Sequence, residues 1–267
     1  MAKLVAIAGV PHRPNLPQEV AQSPGVTEAG ARMADVRRHL EEAAPDAIIE
    51  IATDHFTNFG YDNMPSFCIG LMDEAPGPEP STNMPHYTVR GHPKMAQALL
   101  SYALKSNFDL SSTGELLLDH SIMVPLHFLT PSMDIPVVPL YTNGIAPPFP
   151  TASRCLALGR ALRKFIGEWD GDRRVALVVS GSFALEVGGP KVGWTDQAWV
   201  DTVRGHLERG QYQALARKAT YERMAAAGNA SGELLNWITA TGAASDVRPV
   251  YLETDQGGNG YGAWRLE

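Results

Sequence analysis

Cysteine is scarce in this chain: Cys68 and Cys155 are the only two among 267 residues. Two isolated thiols exclude a disulfide framework and any paired-cysteine metal motif, and they suit a reducing compartment, so the cytoplasm is the expected location. Charged side chains are also few, at 19%, which argues against long disordered tracts. Positive charge is in deficit, with a net charge of -7, and nucleic acid, which wants a basic face, is excluded as the expected partner. No apolar run is long enough to span a membrane. The short apolar start is cut off by Pro11 and His12, so it reads as a first strand rather than a signal peptide. No Gly-x-Ser-x-Gly nucleophile elbow is present. The glycines at 257–262 precede no helix, as a phosphate-binding loop would require.

What is present is a core of ordinary size, with 44% hydrophobic residues, and no obvious linker or repeat. A single domain over residues 1–267 is expected. The short apolar runs 4–9, 47–52, 67–71, 135–141 and 174–180 read as strands. Helices are expected over 27–43, 93–105, 151–168, 196–208, 210–227 and 231–241, with a last strand near 248–253 and a loose glycine-rich tail after it. Strands alternating with helices give an α/β fold, a mainly parallel sheet flanked by helices. Residues 114–130 read as an irregular loop entering an apolar segment. Residues 73–89, with Pro76, Pro78, Pro80 and Pro85, read as a functional lid.

The chemistry gathers around histidine. His12 follows the first strand, and His55, in Thr53-Asp54-His55-Phe56, follows the second. Ligands of open α/β sheets collect beyond the carboxyl ends of the strands. Two neighbouring strands ending in histidine would therefore bring two imidazoles to one crevice, and an acid from elsewhere would complete a two-histidine, one-carboxylate site suited to non-haem iron(II). Taken alone, each histidine is more often structural, and the shared context is what raises the pair. Asp119-His120 is a third candidate, whose bland reading is a loop histidine set by the adjacent acid. Glu233 sits where a helix begins. That position favours an acid through the helix dipole alone, and it also lets a carboxylate point into a crevice. His39 and His206 lie in polar helical stretches and are expected to be solvated.

Together these motifs resemble the class III extradiol ring-cleaving dioxygenases, in the pattern of the catalytic beta subunit of protocatechuate 4,5-dioxygenase. The likeness runs nearly end to end. It rests on His12, Asp54-His55, Asp119-His120 with Val124-Pro125-Leu126, Arg154 to Gly159, and Gly232-Glu233-Leu234 with Trp237. It implies iron(II) held by His12, His55 and Glu233, His120 beside the substrate and oxygen, and a phenolic or catecholic aromatic plus O2 as substrates. One position departs from the pattern. A catalytic histidine is implied a few residues before a Gly-Pro pair, and here that place is Leu185 in Ala184-Leu185-Glu186-Val187-Gly188-Gly189-Pro190.

An altered substrate is therefore expected, and three outcomes stay open: His120 does both jobs, Glu186 swings in as the base, or the substrate needs no such base, having a single hydroxyl or an amino group or reacting outside a ring. The resemblance also implies a small partner subunit, with no equivalent segment fused here. Trp194 and Trp199 read as exposed and belong to an expected interface between copies of the chain. From another class, the same three donors also suit zinc, hence a zinc-dependent hydrolase or lyase. Loss of a catalytic residue also fits a non-catalytic paralogue, against which the retained ligands argue.

Overall fold

The computed structural model describes residues 1–266. The chain runs β1 (Lys3–Val10), α1 (Leu16–Gln22), α2 (Glu28–Ala43), β2 (Ala47–Ala52), β3 (Phe67–Gly70), β4 (Glu74–Gly77), β5 (Tyr87–Arg90), α3 (Pro93–Lys105) and β6 (Ser111–Thr113). It continues α4 (His120–Leu129), β7 (Val137–Thr142), α5 (Ala152–Glu168), β8 (Arg174–Ser180), α6 (Gln197–Glu208), α7 (Tyr212–Lys218) and α8 (Tyr221–Ala227). A 3-10 turn (Ser231–Glu233) leads into α9 (Leu234–Ala244), and β9 (Tyr251–Thr254) and β10 (Gly260–Arg265) close the chain.

Eight strands form one sheet in the order β6-β3-β7-β2-β8-β1-β10-β9. The four central strands β7, β2, β8 and β1 are mutually parallel. β3 joins β7 antiparallel, and β10 joins β1 antiparallel. The central strands are buried on both faces, which is why they read as continuous apolar runs. Met33, Val36 and Leu40 of α2 pack one face together with α4. The other face is covered from α3, α5 and α9, through residues such as Leu99, Leu162 and Ile238.

Several expectations are corrected. β1 and β2 are not neighbours, because β8 lies between them. The 114–130 segment is not irregular throughout: Asp119 caps α4 through the Ser121 N–H (3.2 Å), and the helix carries Pro125 inside it. The expected helix over 210–227 is two, because Thr220 caps a new start by accepting from the Arg223 N–H (3.2 Å). The tail is not loose. β10 is buried between β1 and β9, and a Cβ on Gly260 would stand 2.2 Å from the Phe183 ring, so that glycine serves close packing rather than freedom. His206 is buried rather than solvated, its Nδ1 3.1 Å from Gln211 Oε1. Trp199 is buried at 3% exposure, beneath the Arg223 guanidinium, so only Trp194 of the expected interface pair is exposed.

Candidate metal centre

His12 and His55 leave the carboxyl ends of β1 and β2 on either side of β8, and Glu233 comes down between them from the start of α9. Glu233 Oε1 stands 3.2 Å from His12 Nε2 and 3.2 Å from His55 Nε2. Its other oxygen accepts from the Ser182 backbone N–H (2.9 Å). The approach is tight. A Cβ on Gly181 would sit 2.8 Å from Glu233 Cβ, and Gly181 adopts φ +140°, a conformation glycine takes freely.

The outer nitrogens of both imidazoles are accounted for. Pro125 has no N–H to give the Ser121 carbonyl four residues back. That carbonyl accepts instead from Ser180 Oγ (2.7 Å) at the end of β8. Having given its proton away, the Ser180 hydroxyl accepts from His12 Nδ1–H (3.0 Å). Asp119 Oδ2 accepts from both His55 Nδ1–H (2.8 Å) and the His55 backbone N–H (3.0 Å). In their neutral forms both rings therefore carry the proton on Nδ1 and turn an Nε2 lone pair toward the same carboxylate oxygen. Three electron-pair donors meeting at one point need a positive charge between them, which a proton on His55 Nε2 supplies in the metal-free chain and an ion would supply in its place. Ligands bound at about 2.0–2.2 Å to one ion stand roughly 3 Å apart, so the separations fit a metal. The set of two nitrogens and one oxygen, with further positions open, fits iron(II) or zinc.

The buried charges agree. Burial holds His12 below its ordinary pKa despite Glu233. Burial opposes charge on His55 too, but the Asp119 and Glu233 carboxylates outweigh it and push that imidazole up to about 10. Asp119, resisting its own burial, is held down at about 2 by His55. Glu233 is likewise held well below the carboxylate range by the two histidines against its burial.

His120 opens α4, its ring centroid 4.2 Å from that of His55 and 5.6 Å from that of His12. Nitrogens of His12, His55 and His120 all lie within 4.8 Å of one another. The ring of His120 is set not by Asp119 beside it, which serves His55, but by Glu79. Glu79 Oε1 accepts from His120 Nδ1–H (2.8 Å), from Thr82 Oγ1 (2.5 Å) and from Ser81 Oγ (3.1 Å). Glu79 lies in the proline-rich segment between β4 and β5, so that segment supplies a side chain to the centre. Asp54 ties down the following loop by accepting from the Asn58 and Phe59 N–H groups, each at 3.1 Å.

Sequence reasoning missed Glu79, Ser180 and Asn236. The Asn236 amide donates to Thr53 Oγ1 (3.0 Å) and the Ser180 carbonyl (2.9 Å), clamping the ends of β2 and β8. Glu79 had one signal, an acid inside a segment read as a lid. A lone serine at a strand end had none.

The donors open onto a cavity of about 890 Å³ whose wall includes His12, His55, His120, Glu233, Leu185 and Glu186. Leu185 is fixed by its backbone: its N–H donates to Ser231 Oγ (3.0 Å), and its carbonyl accepts from the Ala230 N–H (3.0 Å). The Glu186 carboxylate accepts from the Asn229 N–H (3.0 Å). Outside this group, His92 pairs with Asp172 (2.6 Å) and His127 with the Tyr87 hydroxyl (2.8 Å).

Residues 6–264 match the family described as the catalytic LigB subunit of aromatic ring-opening dioxygenase. A 2,3-dihydroxyphenylpropionate/2,3-dihydroxicinnamic acid 1,2-dioxygenase of Klebsiella pneumoniae is 31% identical over 181 residues, 67% of this chain and 55% of that protein. A protein of the same description from Burkholderia vietnamiensis is 34% identical over 161 residues, 60% of this chain and 49% of that one. The chain thus spans about half the length of the curated relatives it matches. Among solved structures, an uncharacterized protein JW3007 from Escherichia coli K12 shares the fold. It has a TM-score of 0.63 and 15% identity, over 98% of this chain and 100% of that one.

Proposed function

Because the chain belongs to the LigB family of aromatic ring-opening dioxygenases, we propose that it opens a phenolic or catecholic ring with dioxygen, using iron(II) held by His12, His55 and Glu233. The observation that carries this reading is the meeting of both Nε2 atoms on Glu233 Oε1 at 3.2 Å, with both Nδ1 atoms already engaged elsewhere. Bound there, iron(II) would supply the one-electron chemistry that lets a diol react with O2.

The chain's own groups do the rest. Ser180 and Asp119 hold the two imidazoles in the tautomer that presents Nε2 to the ion. Glu79 holds the His120 proton on Nδ1, leaving Nε2 to take the hydroxyl proton of an incoming diol and to return it as the ring opens. Such help is worth about 10²–10⁴-fold. Leu185 offers no proton-transferring group at the place where the family pattern has a histidine, so His120 carries the proton work of the site. Glu186, anchored on Asn229 at the cavity wall, is the second acid–base group available.

The test is to load the protein with iron(II) without air, add a panel of substituted catechols, and then admit oxygen. Oxygen consumption matched by the absorbance of a ring-opened product is the expected result. Consumption that persists in His120→Ala but vanishes in Glu186→Gln would move the proton transfer to Glu186. Stable zinc with no oxygen uptake across the panel would reject the dioxygenase reading in favour of a hydrolase or lyase.

A further inference from the structure

The cavity is larger than one ring needs, near the upper end of the ~300–1,000 Å³ usual for small-molecule sites. Beyond the donors its wall is mainly apolar, formed by Phe56, Tyr61, Ile145, Leu185, Val187 and Val192. Four of these are large exposed hydrophobics, Tyr61 at 83% and Val192 at 62% among them, and they gather at this one mouth rather than scattering over the surface. The Phe56 and Tyr61 rings lie 5.0 Å apart. Phe56 adopts φ +60°, a costly conformation for a bulky side chain, directly after His55.

Charge on the same wall tells against an anionic ligand. Arg13 is the one Lys or Arg among the described lining residues, and its two terminal nitrogens are engaged by Glu19 at 3.2 and 2.8 Å. The acidic residues Glu186 and Glu233 both line the cavity. A carboxylate on the substrate would meet like charges and a cation already matched, whereas an apolar substituent would be removed from water against the leucine and valines.

We infer that the site takes an uncharged aromatic diol bearing a second ring or a short apolar chain, with Leu185 as a specificity-determining residue, and that it discriminates against carboxylated analogues. This rests on the ring-opening reading for the diol end alone; the preference at the far end comes from the wall.

The test compares 3-phenylcatechol, 3-(2,3-dihydroxyphenyl)propionate and the methyl ester of that acid. Their Kd values are measured by calorimetry on iron(II)-loaded protein under argon, so that binding is read without turnover. The ester and the biphenyl compound are expected to bind at least about tenfold tighter than the acid. Leu185→Ser, or Val192→Ser at the exposed rim should the first variant fold poorly, is expected to shrink that gap to about threefold or less, since each removes apolar wall. The acid binding as tightly as its ester, or a gap unchanged in a folded variant, overturns the inference. Admitting oxygen afterwards separates the two claims. Tight neutral binding without oxygen consumption leaves the ligand class standing and removes the reaction, while ring opening that favours the acid does the reverse.

Discussion

Loading the centre with metal should expel a proton from His55, and the amount can be worked from the site. In the metal-free chain His55 Nδ1–H is committed to Asp119, and the buried ring sits between two carboxylates that hold its pKa at about 10. A second proton therefore occupies Nε2 at pH 7 and points at Glu233 Oε1, 3.2 Å away, where a metal would otherwise bind. Removing it at pH 7 costs about 4 kcal/mol, so metal affinity should rise about tenfold per pH unit from neutrality until pH approaches 10. His12, held below its ordinary pKa by burial, contributes little to the count. Calorimetry of zinc binding at pH 7.5 in buffers of different ionisation enthalpy should therefore return about one proton released per ion.

The same shift fixes the sign of stability in the metal-free protein. A raised histidine pKa stabilises fully below the unfolded value of about 6.5 and is lost as pH rises through about 10, so the metal-free melting temperature should fall across that window. Zinc binding with no proton release and no pH slope would refute the assigned protonation of His55, and with it the account of why the three donors converge.

Two further outcomes follow from neighbouring groups. Asp119→Asn keeps an N-cap for α4 but sets an amide where a carboxylate accepted two N–H groups of His55, so zinc affinity should drop about 10–100-fold in a chelator competition; an unchanged Kd would show that His55 is oriented by something else. Glu50 lies fully buried in β2 with neither carboxylate oxygen partnered, its pKa pushed well above the usual range by burial and by Asp119. Because the unfolded chain loses that proton above about pH 4.3, Glu50→Gln should stabilise the fold by an amount that grows with pH, by up to about 1.4 kcal/mol per unit. Equal gains in urea melts at pH 5 and pH 7 would contradict this.

Much of the frame was legible because its signals are local. The runs that became β1, β2 and β8 are apolar throughout, since both faces of a central parallel strand are covered. His12 and His55 stood out because each follows such a run. Their arrangement was not legible: β8, some 120 residues beyond β2, inserts between β1 and β2, and only the sheet order shows that Ser180 lies beneath His12. α4 was obscured by Pro125, which weakens a helical pattern that the Asp119 cap and the flanking apolar packing restore. The glycines near the end looked like looseness because glycine marks both free turns and places where other groups come close, and Gly260 is of the second kind. Glu79 could not be assigned to His120, 41 positions away, from a proline-rich stretch alone.

The start of α4 explains how three distant donors keep one geometry. Asp119, the cap, orients His55. His120 is the first helical residue and presents its own ring beside the other two. The Ser121 carbonyl, which Pro125 cannot satisfy, takes the Ser180 hydroxyl proton and so turns Ser180 into an acceptor for His12. Proline inside a helix costs about 3 kcal/mol or more, and here the missing N–H is what frees the carbonyl for that contact. One turn of one helix thereby governs the ring orientation of His12 and His55 and carries His120. The turn itself is immobilised by the packing of Ile122, Met123, Val124 and Leu126, each no more than 1% exposed. The converging donors can therefore lie on segments far apart in sequence, because the groups that aim the two imidazoles share one rigid element whose position the core fixes.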